Sequence, residues 1–479
     1  MASQADNRGG RRGVLSALTV RLSFLIAIGF LVAGFALTAL AAALLAWPDL
    51  VAGNEMLTYG RVFPAGAGAL LFGWLTVGFF GFAFHRVPHL VGAPLAFPLV
   101  ALGAVLLTSG GAAAGVAMLL MGEGTGGRWL EFPLFVDGAL IAGAAAAAGV
   151  LALTARRGTH DRIPLPAWYL IGGTVWLFFG LAVGALPGLS GLASEVQSGF
   201  TGAALFGAWG ATAGVGIAYA VASDVLGGEG FNERLGRIGF WSIGFTWLWT
   251  ASRTLQYGPT PDWIETVPVV FGAGLVVAML AVFADFAGAL RGRWSEVRRV
   301  PAVKLAFAGL GFLLAGVAAA FVGTLRSVSA VVGFTSWDSG VEIALLLGGF
   351  TLLAMAGIAA TLGAIRGRAW GRWSVAGMLW PIVTGVGVAF VIRLIGGVQQ
   401  GLSWLAGAQA GEYQVSGVEF GRSAEPQLAL GEAVACALAL AGIGIVVFAV
   451  RTLMGSIGAA AEREARAPGL AVQPLGGLL

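Results

Sequence analysis

Side chains that commonly carry chemistry are scarce in this sequence. Among 479 residues there are three histidines, His85, His89 and His160, and one cysteine, Cys436. His85 and His89 are spaced i to i+4, which on a helix puts two imidazoles on one face and could share a metal ion. Pro88 is expected to break the turn between them, Arg86 would repel a cation, and no cysteine or carboxylate is near in sequence. The pair therefore reads as an interfacial basic cluster facing lipid headgroups. A single thiol can form neither an internal disulfide nor a thiolate cluster. What remains are charges set inside apolar runs. Arg253, Glu342 and Asp285 form a candidate polar site, with Arg326, Asp137 and Glu432 near the level of the first two. Ionisable groups inside membrane helices are costly and mark function or an ion pair. Arg253 is expected to pair with Glu342, and Asp285 to sit in a proton path; the competing reading is solvation near helix ends.

These residues can only be positioned by membrane helices. The chain is 58% hydrophobic and 10% charged, far from the roughly one quarter charged residues of soluble domains. Long apolar runs without alternation exclude a barrel, and backbone amides in hydrocarbon must then be satisfied within helices. The expected fold class is all-α, a polytopic membrane protein. At about 20 residues per crossing, twelve crossings are expected near 22–47, 62–84, 90–121, 134–155, 166–188, 200–222, 238–257, 265–290, 305–325, 341–365, 374–396 and 428–450. Residues 1–21 read as a basic tail, 22–450 as the membrane domain and 451–479 as a second tail, disordered from Ala459. Gly397 to Gln427 reads as a long connection.

Lys and Arg concentrate on the cytoplasmic side of a membrane protein. With twelve crossings, 21 of the 27 basic residues fall on one face; only Arg61, Arg128, Arg253, Arg326, Arg393 and Arg422 fall on the other. Both termini are therefore expected in the cytoplasm, and Ala- and Gly-rich composition with a single lysine, Lys304, suggests a bacterial inner membrane. The formal charge of +4 comes from arginines beside the membrane, so nucleic-acid binding has no support.

Several stretches share a frame. Gly60, Arg61 and Pro64 open the second crossing; Thr201 to Gly207 lies in the sixth; Trp249, Tyr257, Pro261, Asp262 and Trp263 end the seventh; Thr335, Trp337 and Gly340 open the tenth; Gln400, Gly401, Leu402 and Trp404 follow the eleventh. In order and spacing they resemble catalytic subunit I of the haem-copper oxidases, most closely the C-family (cbb-type) cytochrome c oxidases. The resemblance implies a twelve-helix subunit I-like bundle that, in the family, holds two haems and one copper. It places haem ligands at Gly66, Val341 and Ile343, and copper ligands at Ala203, Arg253 and Thr254. The family's helix 7 tyrosine falls on Trp247, and its propionate-pairing arginine on Leu405. No ligand histidine is kept.

Oxygen reduction needs bound redox centres, so no haem, copper or other metal is expected, and no catalytic residue is assigned. The leading expectation is a non-catalytic structural, assembly or interaction component beside other respiratory-complex subunits, in contact with membrane lipid. The alternatives are a transporter or channel using Arg253, Glu342 and Asp285, or an active terminal oxidase with an unconventional site. An unfilled haem-sized void is costly, so the old site is expected to be a collapsed aromatic core containing Phe206, Trp209, Trp247 and Trp249.

Overall fold

The apolar runs form long helices for the expected reason: each closes its own backbone hydrogen bonds. The structure, a computed structural model, describes residues 2–226, 230–366, 372–410 and 425–466. The expected polar tail beyond 466, residues 411–424, and Arg368 and Arg422 lie outside the described residues. In chain order the long helices are α1 (Ala2–Ala46), α2 (Tyr59–Val91), α3 (Pro98–Met121), α4 (Leu134–Arg156), α5 (Leu165–Gly184), α6 (Leu192–Leu226), α7 (Glu233–Trp249), α8 (Trp263–Ala289), α9 (Pro301–Val322), α10 (Trp337–Gly363), α11 (Arg372–Ala410) and α12 (Glu425–Arg466). No strand occurs among the described residues.

Eleven of these helices are long and apolar enough to cross a membrane. The other, α7, has 17 residues and is prolonged by a 3₁₀ segment, Thr250–Leu255. The polar run from Thr250 to Thr254 tightens the last turns, and Tyr257, at φ +62°, turns the chain away. Several boundaries differ from expectation. Helix α1 begins inside the stretch read as a tail, α11 runs into the expected connection as far as Ala410, α12 continues to Arg466 through residues expected to be disordered from Ala459, and α3 starts only at Pro98, after the left-handed Gly92 and Phe97.

Every fourth crossing is central. The apolar windows of α2, α6 and α10 are 94, 100 and 89% buried, whereas those of the other spans are 33–50% buried. The outer helices pack largely on their sequence neighbours, and α12 closes the ring against α1. Each central helix carries one π-helical segment: Ala69–Thr76, Ala204–Ala211 and Ile343–Phe350. A π turn lengthens the hydrogen-bond step to five residues, and such turns gather at functional sites. Thr76 donates to Leu71 O at 2.8 Å, and Thr351 to Leu346 O at 2.8 Å. Trp74 Nε1 donates to Thr351 Oγ1 at 3.3 Å, tying α2 to α10.

Candidate functional site

The π segments sit below two cavities at the end of the bundle away from Ala2 and Arg466, hereafter the distal end. The larger cavity, about 480 Å³, lies among α1, α2, α10, α11 and α12. Its wall includes Tyr59, Phe63, Ala67, Ile343, Arg393 and Gln400. The smaller, about 290 Å³, lies among α6 to α10 and includes Ala203, Trp247, Arg253, Thr254, Asp338 and Val341. Trp129, Phe334 and Glu342 line both. Trp129 and Phe334 hold φ +75° and +61°, conformations costly for bulky residues and typical of tightly determined sites.

Helical geometry explains the division. Val341 and Ile343 are two residues apart, about 200° around a helix, so they face different cavities. Ala203, Arg253, Thr254 and Val341 come from three helical segments distant in sequence, yet line one cavity. Gly66 differs: it lines neither cavity. A Cβ there would lie 3.0 Å from Thr38 N and Oγ1 on α1, so residue 66 faces a helix contact, while Phe63 and Ala67 face the large cavity.

The expected ion pair is replaced by two others. Arg253 Nη2 donates to Asp338, and Arg128 Nη2 donates to Glu342 Oε1 at 2.8 Å. The short reach of Asp338, one turn before Glu342, puts it beside Arg253, and the loop cation Arg128 takes the remaining carboxylate. Gly323 makes room, since a Cβ there would lie 3.1 Å from Arg253 Nη2. In the neighbouring loop, burial pushes the Glu131 carboxyl above its usual range, against the opposing pull of Arg128. Arg326 donates to Asp262 O and Thr266 Oγ1 and lies 3.9 Å from Glu265. Asp137 is buried with Oδ1 unpartnered among the described residues, and Glu432 is exposed.

Asp285 does not join Arg253 and Glu342. It lies 22 residues along α8 from Trp263, about 33 Å at the helical rise. There it accepts hydrogen bonds from Tyr219 OH at 3.0 Å and Asn232 N at 3.1 Å. The candidate triad is therefore split between the two ends of the bundle.

The histidines are also at that opposite end. Contrary to expectation, α2 continues through Pro88, and the His85 and His89 rings approach to 4.7 Å between centroids. Pro88 lacks the amide that would bond to Phe84 O and its ring crowds that carbonyl, and the helix ends three residues later at Val91, before the left-handed Gly92. A carboxylate distant in sequence is close in space: Asp224 accepts from Arg86. No group of three metal-ligating side chains occurs among the described residues.

The expected collapse is only partial. Phe206 packs edge-on to Trp129 at 4.6 Å and tilts against Phe350 at 5.9 Å, and Trp247 covers Gly207. Trp209 is buried, but Trp249 stacks outward on Phe271 and fills nothing. A dry apolar void of the larger volume would cost about 12 kcal/mol at ~24 cal/mol per Å³, as much as a typical domain's net stability. Its polar wall gives contents other than vacuum somewhere to bind.

Neither lining contains histidine, cysteine or methionine among the described residues, so both lack the imidazole, thiolate and thioether donors that usually hold haem and copper, and offer the phenols of Tyr59 and Tyr257 instead. The carboxylates of Asp338 and Glu342 are already held by arginines, and Arg128 and Arg253 bring positive charge to the smaller cavity. Sequence reading missed Asp338 and Arg128 as the partners, Arg393 in the larger cavity, and the π segments. The recurrence of Thr76, Thr212 and Thr351 beside apolar runs four crossings apart was the available signal.

Comparison with known proteins places these features. Over 426 residues the chain is 22% identical to cytochrome c oxidase subunit 1 of Rhodobacter capsulatus, covering 82% of this chain and 76% of that protein. It is 27% identical over 186 residues to a cytochrome c oxidase subunit 1 homolog of Agrobacterium tumefaciens (strain T37), a match spanning only 33% of that relative and 36% of this chain. The Cbb3-type cytochrome c oxidase subunit CcoN1 of Stutzerimonas stutzeri matches at 21% identity, over 36% of this chain and 37% of its own. A heme-copper terminal oxidase dimer solved by cryo-EM shares the fold with a TM-score of 0.74 at 13% identity, covering 91% of this chain and 84% of that one. The family profile described as Cytochrome C and Quinol oxidase polypeptide I matches residues 19–425. This integral membrane chain belongs to the cytochrome c and quinol oxidase polypeptide I family.

Proposed function

We propose that this chain is a non-catalytic subunit I-like protein, without haem or copper of its own, serving as a structural or assembly component beside other subunits of a respiratory complex. The observation that carries this reading is the smaller cavity. Four positions aligned with family ligands, Ala203, Arg253, Thr254 and Val341, converge there; only Arg253 is charged, and with Asp338, Arg128 and Glu342 beside it the cavity carries two arginine-carboxylate pairs rather than a ligand set. Such a lattice braces the distal helix ends, where a metal centre would otherwise need bound ligands. The distribution of basic residues favours an inner-membrane orientation with both ends in the cytoplasm.

Reduced-minus-oxidised spectra and metal analysis of the purified protein test the reading. The expected result is no stoichiometric haem or copper, with other respiratory subunits recovered in mild detergent. Stoichiometric haem and copper would overturn it.

A further inference from the structure

Three of the five described arginines at the distal end have a carboxylate close by, and a fourth, Arg61, donates to Leu120 O at 3.3 Å. Arg128 has Glu342, Arg253 has Asp338, and Arg326 lies near Glu265. Arg393 has no such partner: Glu342 lines the same cavity but is held by Arg128, and Arg393 forms no ion pair among the described residues, with its Nε buried without a hydrogen bond. It lines the larger cavity, at the end where Tyr59, Ser336 and Gln400 supply further polar groups. Its backbone is held in place, since Ser336 Oγ donates to Arg393 O at 3.1 Å while Ser336 N donates to Gln400 Oε1 at 3.0 Å. Gly340 lets α11 close on α10, because a Cβ there would lie 2.9 Å from Arg393 Cβ.

The rest of the wall is different in kind. Ala42, Ile343, Leu346, Val434 and Leu438, from α1, α10 and α12, form an apolar trough. Leu45 and Tyr59 at its rim are 41 and 39% exposed, so the trough opens beside the outer surface of the bundle. A buried cation is stabilised by an anion that reaches it, and the guanidinium fork matches a carboxylate in two parallel hydrogen bonds. The whole cavity, polar end included, measures about 480 Å³, within the usual range of small-molecule sites, ~300–1,000 Å³, which suits one acyl chain with its head rather than a two-chain phospholipid.

We propose that the larger cavity binds a single-chain fatty carboxylate, its head on Arg393 and its chain along Ala42, Leu346 and Leu438. The membrane supplies the ligand, and binding stitches α1 and α12 to α10 and α11. This rests on the reading that the cavity holds no haem.

Delipidated full-length protein in non-ionic detergent, titrated with palmitate and followed by thermal melting and native mass spectrometry, tests the proposal. Wild type should gain one palmitate and melt at higher temperature. Arg393→Gln should bind about ten- to a hundredfold more weakly, the usual consequence of losing a charge-assisted pair, and Arg393→Lys should retain part of the affinity. Leu438→Trp fills the trough without touching the arginine and should also abolish the response, so loss does not depend on one variant that could misfold. Equal responses in wild type, Arg393→Gln and Leu438→Trp would overturn the proposal. So would equal binding of hexadecanol, or binding of lysophosphatidate without palmitate. A haem spectrum of the same preparation separates the two readings: haem would overturn both, whereas a haem-free protein indifferent to palmitate would overturn only this one.

Discussion

Arg128 Nη2 donates to Glu342 Oε1 at 2.8 Å, joining the loop after α3 to the start of α10 across 214 residues of chain. The two sides are unequal: the arginine side chain is 53% exposed and the glutamate 21%. Removing the arginine strands the more buried charge, whereas removing the carboxylate leaves a cation that can reach solvent. Arg128→Ala is therefore expected to destabilise by roughly 1–2 kcal/mol and Glu342→Gln by less, after discounting for exposure. Thermal melting of both variants in the same detergent checks the order; equal or reversed losses would show that the pair does not brace α10.

The pairing of Arg253 predicts which charge exchange restores the fold. Arg253→Asp should lower the melting temperature, and adding Asp338→Arg should recover much of the loss, because the two side chains meet directly. The exchange Arg253→Glu with Glu342→Arg should give no recovery, since Glu342 is held by Arg128. Two double-mutant cycles decide between them.

The position of Gly66 predicts where an added ligand can and cannot work. A histidine at 66 would press on Thr38 of α1, whereas residues 67 and 343 both face the larger cavity. Ala67→His with Ile343→His should give a variant that acquires a low-spin haem spectrum when reconstituted with haem. Gly66→His with Ile343→His should not, and should melt lower than the parent. Haem uptake by the second pair alone would show that residue 66 can turn into the cavity.

The π segments predict unequal roles for two buried threonines. Thr351 donates to Leu346 O and accepts from Trp74 Nε1. Thr351→Val leaves the buried Trp74 Nε1–H without its partner, at about 1–3 kcal/mol, while Leu346 O keeps the Thr351 backbone N–H. Thr212 follows the second π segment, but its hydroxyl has no partner among the described residues. Thr212→Val should be neutral or stabilising. Denaturation of the two variants side by side tests the contrast.

Membrane helices, their approximate ends and the lack of imidazole in the distal half were legible in the residues themselves. These properties are local: an apolar run of sufficient length must be a helix in hydrocarbon, and a chain with three histidines near one end of the bundle cannot supply six ligands at the other. The ordered frame of glycines, prolines and aromatics was legible too, because those types answer to turns and helix contacts along the chain. Tertiary structure alone decided the partners. Arg253 could have met either of two acids one turn apart on α10, and only the rotation and approach of α7 and α10 put Asp338 beside it. Helix packing likewise turns Gly66 toward α1, parts Val341 from Ile343, carries α2 through Pro88 and leaves Arg393 on the larger cavity without an ion-pair partner among the described residues. Those outcomes depend on how whole helices pack, and packing adds contributions from residues hundreds of positions apart that no local pattern records.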